Sequence, residues 1–492
     1  MSDPVHFSAA HAEMALADPA APAIVFPQQT LSHDNIRRLG LAFASRMRAA
    51  GIGPGSRVQL RTPDPVLVLA VLLGSAWVGA EFFPFAGENS TPPELEPTDF
   101  LFDPRVRAAP VPDAIALDED WSPTRTPDFD MSRLPDPEAP WLWVHTSGTT
   151  GLPKFLALSQ RMVTLRSRAV SDEFRPKSRH VLLAHCYSRP FLARAAAALV
   201  NGSTLYFGLS PQDWQPAGIE MVSGSRALVK SLLDGVLLSP RAPRIELAGS
   251  RLPDHEAIAL LDSFEVVDDT YGASETSKSY STLWQRDAAG RPFATGRMRD
   301  SVIEVIDANG LPVASGDRGI VRVSNPYMAT GYLNDEKSTA VSFRDGWFYP
   351  GDVALVDDDG RLRIADRSDH VVNIMGNKVN AFAVDQLMRS VPGVLDAICF
   401  RNPKPGAADE LFAFVVLDEA ANRLQAIASA RHLVDERLGD YAVPRVMQPV
   451  QVIPRRPDGA PDRAACADIV LRISAARGAA DQPLEHTQHS SA

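Results

Sequence analysis

Between His33 and Ala50 apolar side chains recur at helical spacing (HDNIRRLGLAFASRMRAA), and the pattern stops at Gly51, a residue suited to a helix C-terminal cap. A GIGPGSRV turn and a short strand follow, and an Ala/Leu/Val pattern predicts a helix over 66–79, ending near Gly79. Strands and helices then alternate to about residue 290, which predicts an α/β architecture with mainly parallel sheets. The Pro- and Asp-rich stretch 103–140 reads as a long surface connection. From Arg291 to Ile364 short alternating runs separated by DANG, SGD, DG and DDDG turns predict antiparallel β structure. A charged stretch at Asp366–Gly376 leads into an α+β segment, and the last residues, AADQPLEHTQHSSA, lack periodicity and are expected to be disordered.

At 492 residues the chain is too long for one compact core, so two or more domains are expected. Hydrophobic residues at 45% and charged residues at 22% exclude wholesale disorder. The longest apolar runs, Val66–Ala80 and Ala193–Val200, fall short of the ~20 residues a membrane span requires. The start, MSDPVHFSAAHAEM, has acids where an export signal has bases, and three cysteines at unrelated spacings give neither a disulfide framework nor a zinc pattern. A cytoplasmic enzyme is the expectation, and a net charge of −11 excludes general nucleic-acid binding. Of 49 basic residues only seven are lysine, so each lysine invites inspection.

Thr146-Ser147-Gly148-Thr149-Thr150-Gly151-Leu-Pro-Lys154 follows the apolar run Trp141–Val144. Hydroxyls and glycines packed this closely let a backbone approach phosphates and aim many donors at them, with Lys154 adding a mobile charge. The spacing is not that of a Walker A loop. This segment resembles the phosphate loop of the acyl-adenylate-forming superfamily: acyl- and aryl-CoA ligases, peptide-synthetase adenylation domains and luciferases. The resemblance continues in order through Gly249-Ser250-Arg251, Tyr271-Gly272-Ala273-Ser274-Glu275-Thr276, Gly331-Tyr332, Asp345-Gly-Trp-Phe-Tyr-Pro-Gly-Asp352, Asp366-Arg367-Ser-Asp369 and Gly376-Asn-Lys378.

The resemblance implies ATP and Mg2+ as cofactors, a carboxylic acid (aryl or fatty acyl) as substrate, and CoA or a carrier protein's phosphopantetheine as thiol acceptor. Asp352 would accept from both ribose hydroxyls and Arg367 would contact ribose or phosphate. Glu275 would help hold Mg2+, Tyr271–Ala273 would border adenine beside the Gly249–Ser250 loop, and Ser274 would donate to the α-phosphate. Lys154 would face the polyphosphate, and Lys378 would serve the thioester-forming step. The implied fold is a large N-terminal domain, 1–367, of two mainly parallel α/β subdomains and a β-barrel-like subdomain. A small α+β domain, 368–475, would rotate on a hinge at Asp369, and 476–492 would be a tail. The acyl pocket would involve His185-Cys-Tyr187-Ser188-Arg189-Pro-Phe191, with Tyr187 or Ser188 near the gate, Tyr187 and Phe191 as an apolar wall, and Arg189 able to meet a carboxylate.

The family's C-terminal catalytic lysine sits in a P-x-x-x-x-G-K-x-x-R type loop. Here the loop reads Pro454-Arg-Arg-Pro-Asp-Gly459-Ala460-Pro-Asp-Arg463, with Ala460 in the lysine's place and no lysine after Lys404. Three outcomes are open. The protein adenylates slowly or with another cation, Lys278 first and Arg455 or Arg456 behind it. It retains only the thioester-forming half-reaction. Or it is an accessory protein that binds nucleotide or acyl-adenylate.

Overall fold

The computed structural model describes residues 5–84, 97–105, 113–118, 121, 129–146, 154–186, 188–233, 235–249, 252–307, 309–367, 371–374, 377–403, 410–455 and 461–480. They form two compact units. One runs to Ile364 apart from Gly351–Val353, and the other comprises Gly351–Val353 and the chain from Ala365 onward.

The larger unit begins with α1 (Phe7–Ala17), α2 (His33–Ala49) and α3 (Pro65–Val78). Ser32 caps α2 in a reciprocal capping box with Asn35, and Gly79 closes α3 at φ 78°, a left-handed geometry that a Cβ disfavours. Helix α3 is apolar all round because it is buried all round: the chain from Leu67 to Val78 is inside the main core. Next come α4 (Gln160–Arg168), capped by Ser159, and α5 (Arg189–Asn201), capped by Ser188 and closed by Gly202.

Two mainly parallel sheets occupy this unit. The nine-stranded sheet runs, in spatial order, through 292–298, 277–286, 264–273, 242–248, 221–224, 179–183, 204–206, 22–26 and 29–32. The strands from 264–273 to 22–26 are parallel neighbours. The first two edge strands are antiparallel, because the chain reverses after Ala273. A six-stranded sheet carries 115–116, 99–102, 57–61, 81–83, 140–146 and 154–159 in that order. Residues 302–367 add a further six-stranded sheet with antiparallel pairing in its hairpins. In the smaller unit a three-stranded sheet (394–401, 411–417, 446–449) separates two apolar clusters, one around Val384 and Ala430, the other around Phe414 and Cys466.

Two expectations are corrected. The stretch 103–140 is not a surface connection throughout: Trp121 and Phe129 are buried, with the Trp121 ring 5.1 Å from Phe43 and Phe129 6.1 Å from Trp77. The C-terminal helix Arg463–Ala480 continues into the segment expected as a tail, and residues 481–492 lie outside the described ones. No helix of the described residues is long and apolar enough to cross a membrane.

Candidate active site

The strands Pro140–Thr146 and Lys154–Ser159 pair antiparallel with Thr146 opposite Lys154, so the ends of the Ser/Thr/Gly-rich loop are held together by a sheet ladder. Residues Ser147, Gly148, Thr149, Thr150 and Gly151 themselves lie outside the described residues. Lys154 places its ammonium 4.9 Å from the centre of the Tyr332 ring, a cation–π arrangement. The Leu333 N–H donates to the Phe155 carbonyl at 2.8 Å, which ties the Tyr332 segment to the same strand. The Tyr332 hydroxyl donates to Glu275 Oε1 at 2.7 Å. Lys154, Tyr332 and Glu275 therefore form one contiguous group.

Glu275 sits in the turn that joins strands 264–273 and 277–286. The ladder is irregular between Tyr271 and Gly272, and a Cβ on Gly272 would lie 2.2 Å from the Ser277 carbonyl oxygen, so only glycine fits this approach. Ser277 takes a positive φ of 63° to complete the turn. Three successive carbonyls here are held by two guanidiniums, one on buried Arg166 and one on partly buried Arg189. Arg189 donates to the carbonyls of Ala273 (3.0 Å) and Ser274 (3.4 Å). Arg166 donates to Ser274 (3.1 Å), Glu275 (2.7 Å) and Tyr327 (3.1 Å). Burial, and then the charge of Arg189, pulls the Arg166 pKa down to about 9; burial brings Arg189 to about 10. The Ala329 N–H adds a bond to the Glu275 carbonyl at 2.8 Å, and the Asn325 amide adds one to Thr276 at 2.8 Å.

Lys278 is the main correction among the candidate catalytic residues. Its ammonium donates to Glu173 (2.9 and 3.0 Å), Glu246 (3.0 Å) and Asp268 (3.1 Å). The side chains of Glu173, Glu246 and Asp268 are at most 3% exposed, and Lys278 is 9% exposed. Arg244, Arg299 and Arg194 complete this buried network, and the Ser223 hydroxyl donates to Glu246 at 2.8 Å. Burial opposes the Lys278 charge, but Asp268, Glu246 and Glu173 outweigh it and hold its pKa above the usual lysine value. An ammonium whose donors are all engaged by carboxylates is not a mobile cation for phosphates.

Other predicted residues divide by placement. Gly249 ends the strand Ala242–Ala248 at φ 94°, while Ser250 and Arg251 lie outside the described residues. Tyr271 packs against the apolar cluster around Tyr280 and Val321. Asp352 opens the strand Asp352–Val356 and is buried, at 8% exposure. Arg367 ends the strand Leu362–Arg367 and Lys378 lies in the strand Asn377–Asn380; their side chains, and all of Asp369, fall outside the description. In the acyl segment Tyr187 is likewise outside. Ser188 spends its hydroxyl capping α5, and Phe191 is fully buried in the core beside Phe207, with no exposed face to offer a pocket. Arg189 meets main-chain carbonyls in this structure. The loop carrying Ala460 is closed at its base: Arg455 bridges Pro461, and the Asp462 N–H donates to the Pro454 carbonyl at 2.9 Å. Arg463 is anchored on the Cys399 carbonyl and on buried Asp385, each at 2.6 Å. Arg455 pairs with Asp396, and residues 456–460 are outside the description.

The sequence reading missed Arg166 as a holder of the turn and Glu173, Glu246 and Asp268 as partners of Lys278. Their partners lie up to 109 residues away, beyond any local pattern. A polar run in α4 with buried Gln160, Thr164, Arg166 and Ser167 was the available signal.

A glutamate with one oxygen held by Tyr332, beside a lysine and a hairpin closed around a donor-rich loop, suits a phosphate-bearing ligand. The comparisons agree. The family model described as AMP-binding enzyme matches residues 88–333, half of the chain. A sulfoacetate–CoA ligase from Cupriavidus necator is 28% identical over 338 residues, which span 66% of this chain and 66% of that protein. A 3-hydroxybenzoate–CoA ligase from an Aromatoleum species is 26% identical, covering 89% of this chain and 91% of its own. Among solved structures, the o-succinylbenzoate–CoA synthetase of Bacillus subtilis with AMP superposes with a TM-score of 0.77 at 17% identity, over 92% of this chain and 97% of that one. ATP-bound MatB from Rhodopseudomonas palustris gives 0.77 at 21% identity, over 94% and 99%. The chain belongs to the AMP-binding enzyme family. It has the mixed α/β fold of those structures.

Proposed function

We propose that the protein activates a carboxylic acid with ATP, forming an acyl-AMP and releasing pyrophosphate, and then passes the acyl group to the thiol of CoA or of a carrier protein. A carboxylate oxygen attacks the α-phosphorus as the bond to the pyrophosphate oxygen breaks. A thiol sulfur then attacks the acyl carbon and AMP leaves. The Lys154–Tyr332–Glu275 group carries this reading. Lys154 balances charge on the polyphosphate while Tyr332 holds both Lys154 and Glu275 in place. Glu275 fits Mg2+: Oε1 is fixed by Tyr332, and Oε2 accepts no hydrogen bond among the described residues, which suits an ion that takes one or two carboxylates besides phosphate oxygens. Mg2+ bound there would neutralise phosphate charge. Asp352 is assigned to the ribose hydroxyls and Ser274 to the α-phosphate. Lys378 is assigned to the thiol step and Asp369 to the hinge. The natural setting is the cytoplasm, where ATP is available.

Ala460 supports a qualified form of the reading. The loop's base and its Arg463 anchor are built, yet its lysine position carries no charge. With Lys278 engaged, adenylation is expected to be slow, at a cost of roughly 10²–10³ for one missing preorganised donor. The second reading, an enzyme restricted to thioester formation or an acyl-adenylate-binding accessory protein, rests on the same alanine. Pyrophosphate release from ATP with a panel of aryl, fatty and sulfonated acids separates them. Release with any acid supports the first reading, and its absence with every acid at high enzyme concentration supports the second.

A further inference from the structure

Arg166 is buried and Arg189 partly buried, and among the described residues neither has a carboxylate within ion-pair distance. Their partners are main-chain carbonyls, and the Nε of Arg189 is buried without a hydrogen-bond partner among the described residues. Burying a guanidinium whose direct partners are neutral acceptors is costly, even with the Glu275 carboxylate offsetting part of the charge from beyond ion-pair distance, and an apolar side chain of similar volume would pack such a place at lower cost. The expense falls on one turn. Fixing the carbonyls of Ala273, Ser274 and Glu275 fixes the peptide planes from which the Ser274 and Glu275 side chains spring. One residue beyond the turn's positive-φ Ser277, Lys278 is gripped by Glu173, Glu246 and Asp268. Helix α4 reaches both ends: it carries Arg166, and Glu173 lies a few residues past its C-terminus at Arg168. Helix α5 does the same through Arg189 and Arg194.

We infer that Arg166 and Arg189 are positioning residues for Glu275. They hold the Ala273–Glu275 carbonyls so that the Glu275 carboxylate stays on the Tyr332 hydroxyl and presents its second oxygen to Mg2+–ATP. Lys278 is the anchor of the turn's far end rather than a reacting cation. The inference rests on the reading of Glu275 as the Mg2+–ATP residue. It distinguishes Glu275 from a carboxylate on a loose surface turn, which would have to pay the ordering entropy on each binding event.

The test compares full-length wild type with Arg166→Met, Arg189→Met and Arg189→Lys. Thermal unfolding establishes folding, and calorimetry reads ATP affinity with and without Mg2+. In the Met variants the Mg2+-dependent gain in ATP affinity falls by about tenfold, the size of one lost charge-assisted hydrogen bond, while metal-free affinity changes by less than about twofold. The kcat for pyrophosphate release falls with little change in the KM of the acid. Arg189→Lys, which can still donate to two carbonyls, recovers most of the loss. Should the Met variants fail to fold, Arg189→Lys alone must show the same division between Mg2+-dependent and metal-free binding, at a smaller size. An unchanged Mg2+ effect in folded variants, or equal loss with and without Mg2+, overturns the inference. Wild type that binds ATP identically with and without Mg2+ removes Glu275 from the role proposed above, and this inference with it.

Discussion

Lys278 and the Arg166–Arg189 pair bracket the same turn, and the interior treats them in opposite ways. Lys278 is enclosed by three buried carboxylates with further arginines around them, so its charge is compensated inside the fold. The two arginines donate only to carbonyl oxygens, and the carboxylate that offsets part of their charge, Glu275, acts on them from beyond ion-pair distance. A compensated buried ion is a fixture: removing one partner leaves the others stranded, and the damage is to stability. A buried ion set on peptide dipoles fixes backbone instead, and the damage on its removal falls on what that backbone presents. The position of a charge in the sequence thus says little about its duty. Lys278, three residues from Glu275, looks catalytic in one dimension and is structural in three.

The largest expected effect breaks the compensated side. Lys278→Met strands Glu173, Glu246 and Asp268 and should cost roughly 3–5 kcal/mol in urea unfolding, with Lys278→Arg losing much less. Unaltered stability combined with lost pyrophosphate release would return Lys278 to the reacting centre. Next, Lys154→Ala should lower the rate of acyl-adenylate formation by about 10²–10³ while changing the affinity for the acid far less, since we propose that its charge faces the polyphosphate. A collapse of acid affinity with the rate retained would contradict that placement.

Asp352→Ala removes a charged acceptor and should weaken AMP binding by about 1.5–3 kcal/mol in calorimetry; equal affinity would take Asp352 out of the nucleotide site. The smallest effect is one of pH. Burial opposes the Glu246 charge, but Arg194 and Lys278 outweigh it and hold the carboxyl well below its usual range. Asp268 is lowered in the same sense by Lys278 and Arg244. Both groups bind fewer protons folded than unfolded, so the stability they provide is complete above the ordinary carboxylate range and is lost as pH falls through and below it. Unfolding free energies measured from pH 7 down to pH 3 should show this decline, and Glu246→Gln should flatten it. A slope unchanged in that variant would mean the acid sensitivity comes from elsewhere.

Much of the frame was legible before the fold was seen, because its signals are local. The helix read over 33–50 is α2, and the apolar run 66–79 is α3, with Gly51 and Gly79 just past their ends. The family was legible for a related reason: a phosphate-approaching loop needs its glycines and hydroxyls next to one another in the chain. What escaped is what the fold assembles from afar. Phe191 offered its apolar character but not its burial, Trp121 and Phe129 sat in a stretch whose prolines and aspartates suggested solvent, and the partners of Lys278 come from separate strands and a helix end. Ala460 is the opposite case, a departure visible in one position and invisible to packing.

The most direct measurement is pyrophosphate release by wild type, Ala460→Lys, Lys278→Ala and the double variant, each with Mg2+–ATP and the best acid of the panel. Ala460→Lys should raise the wild-type rate by about 10²-fold, restoring one charge aimed at the transition state. The same gain should appear in the Lys278→Ala background to the extent that this variant folds, because the two sites act independently. A gain abolished by Lys278→Ala, or no release from any of the four proteins with any acid, would contradict a slow adenylate-forming enzyme that lacks only its C-terminal lysine.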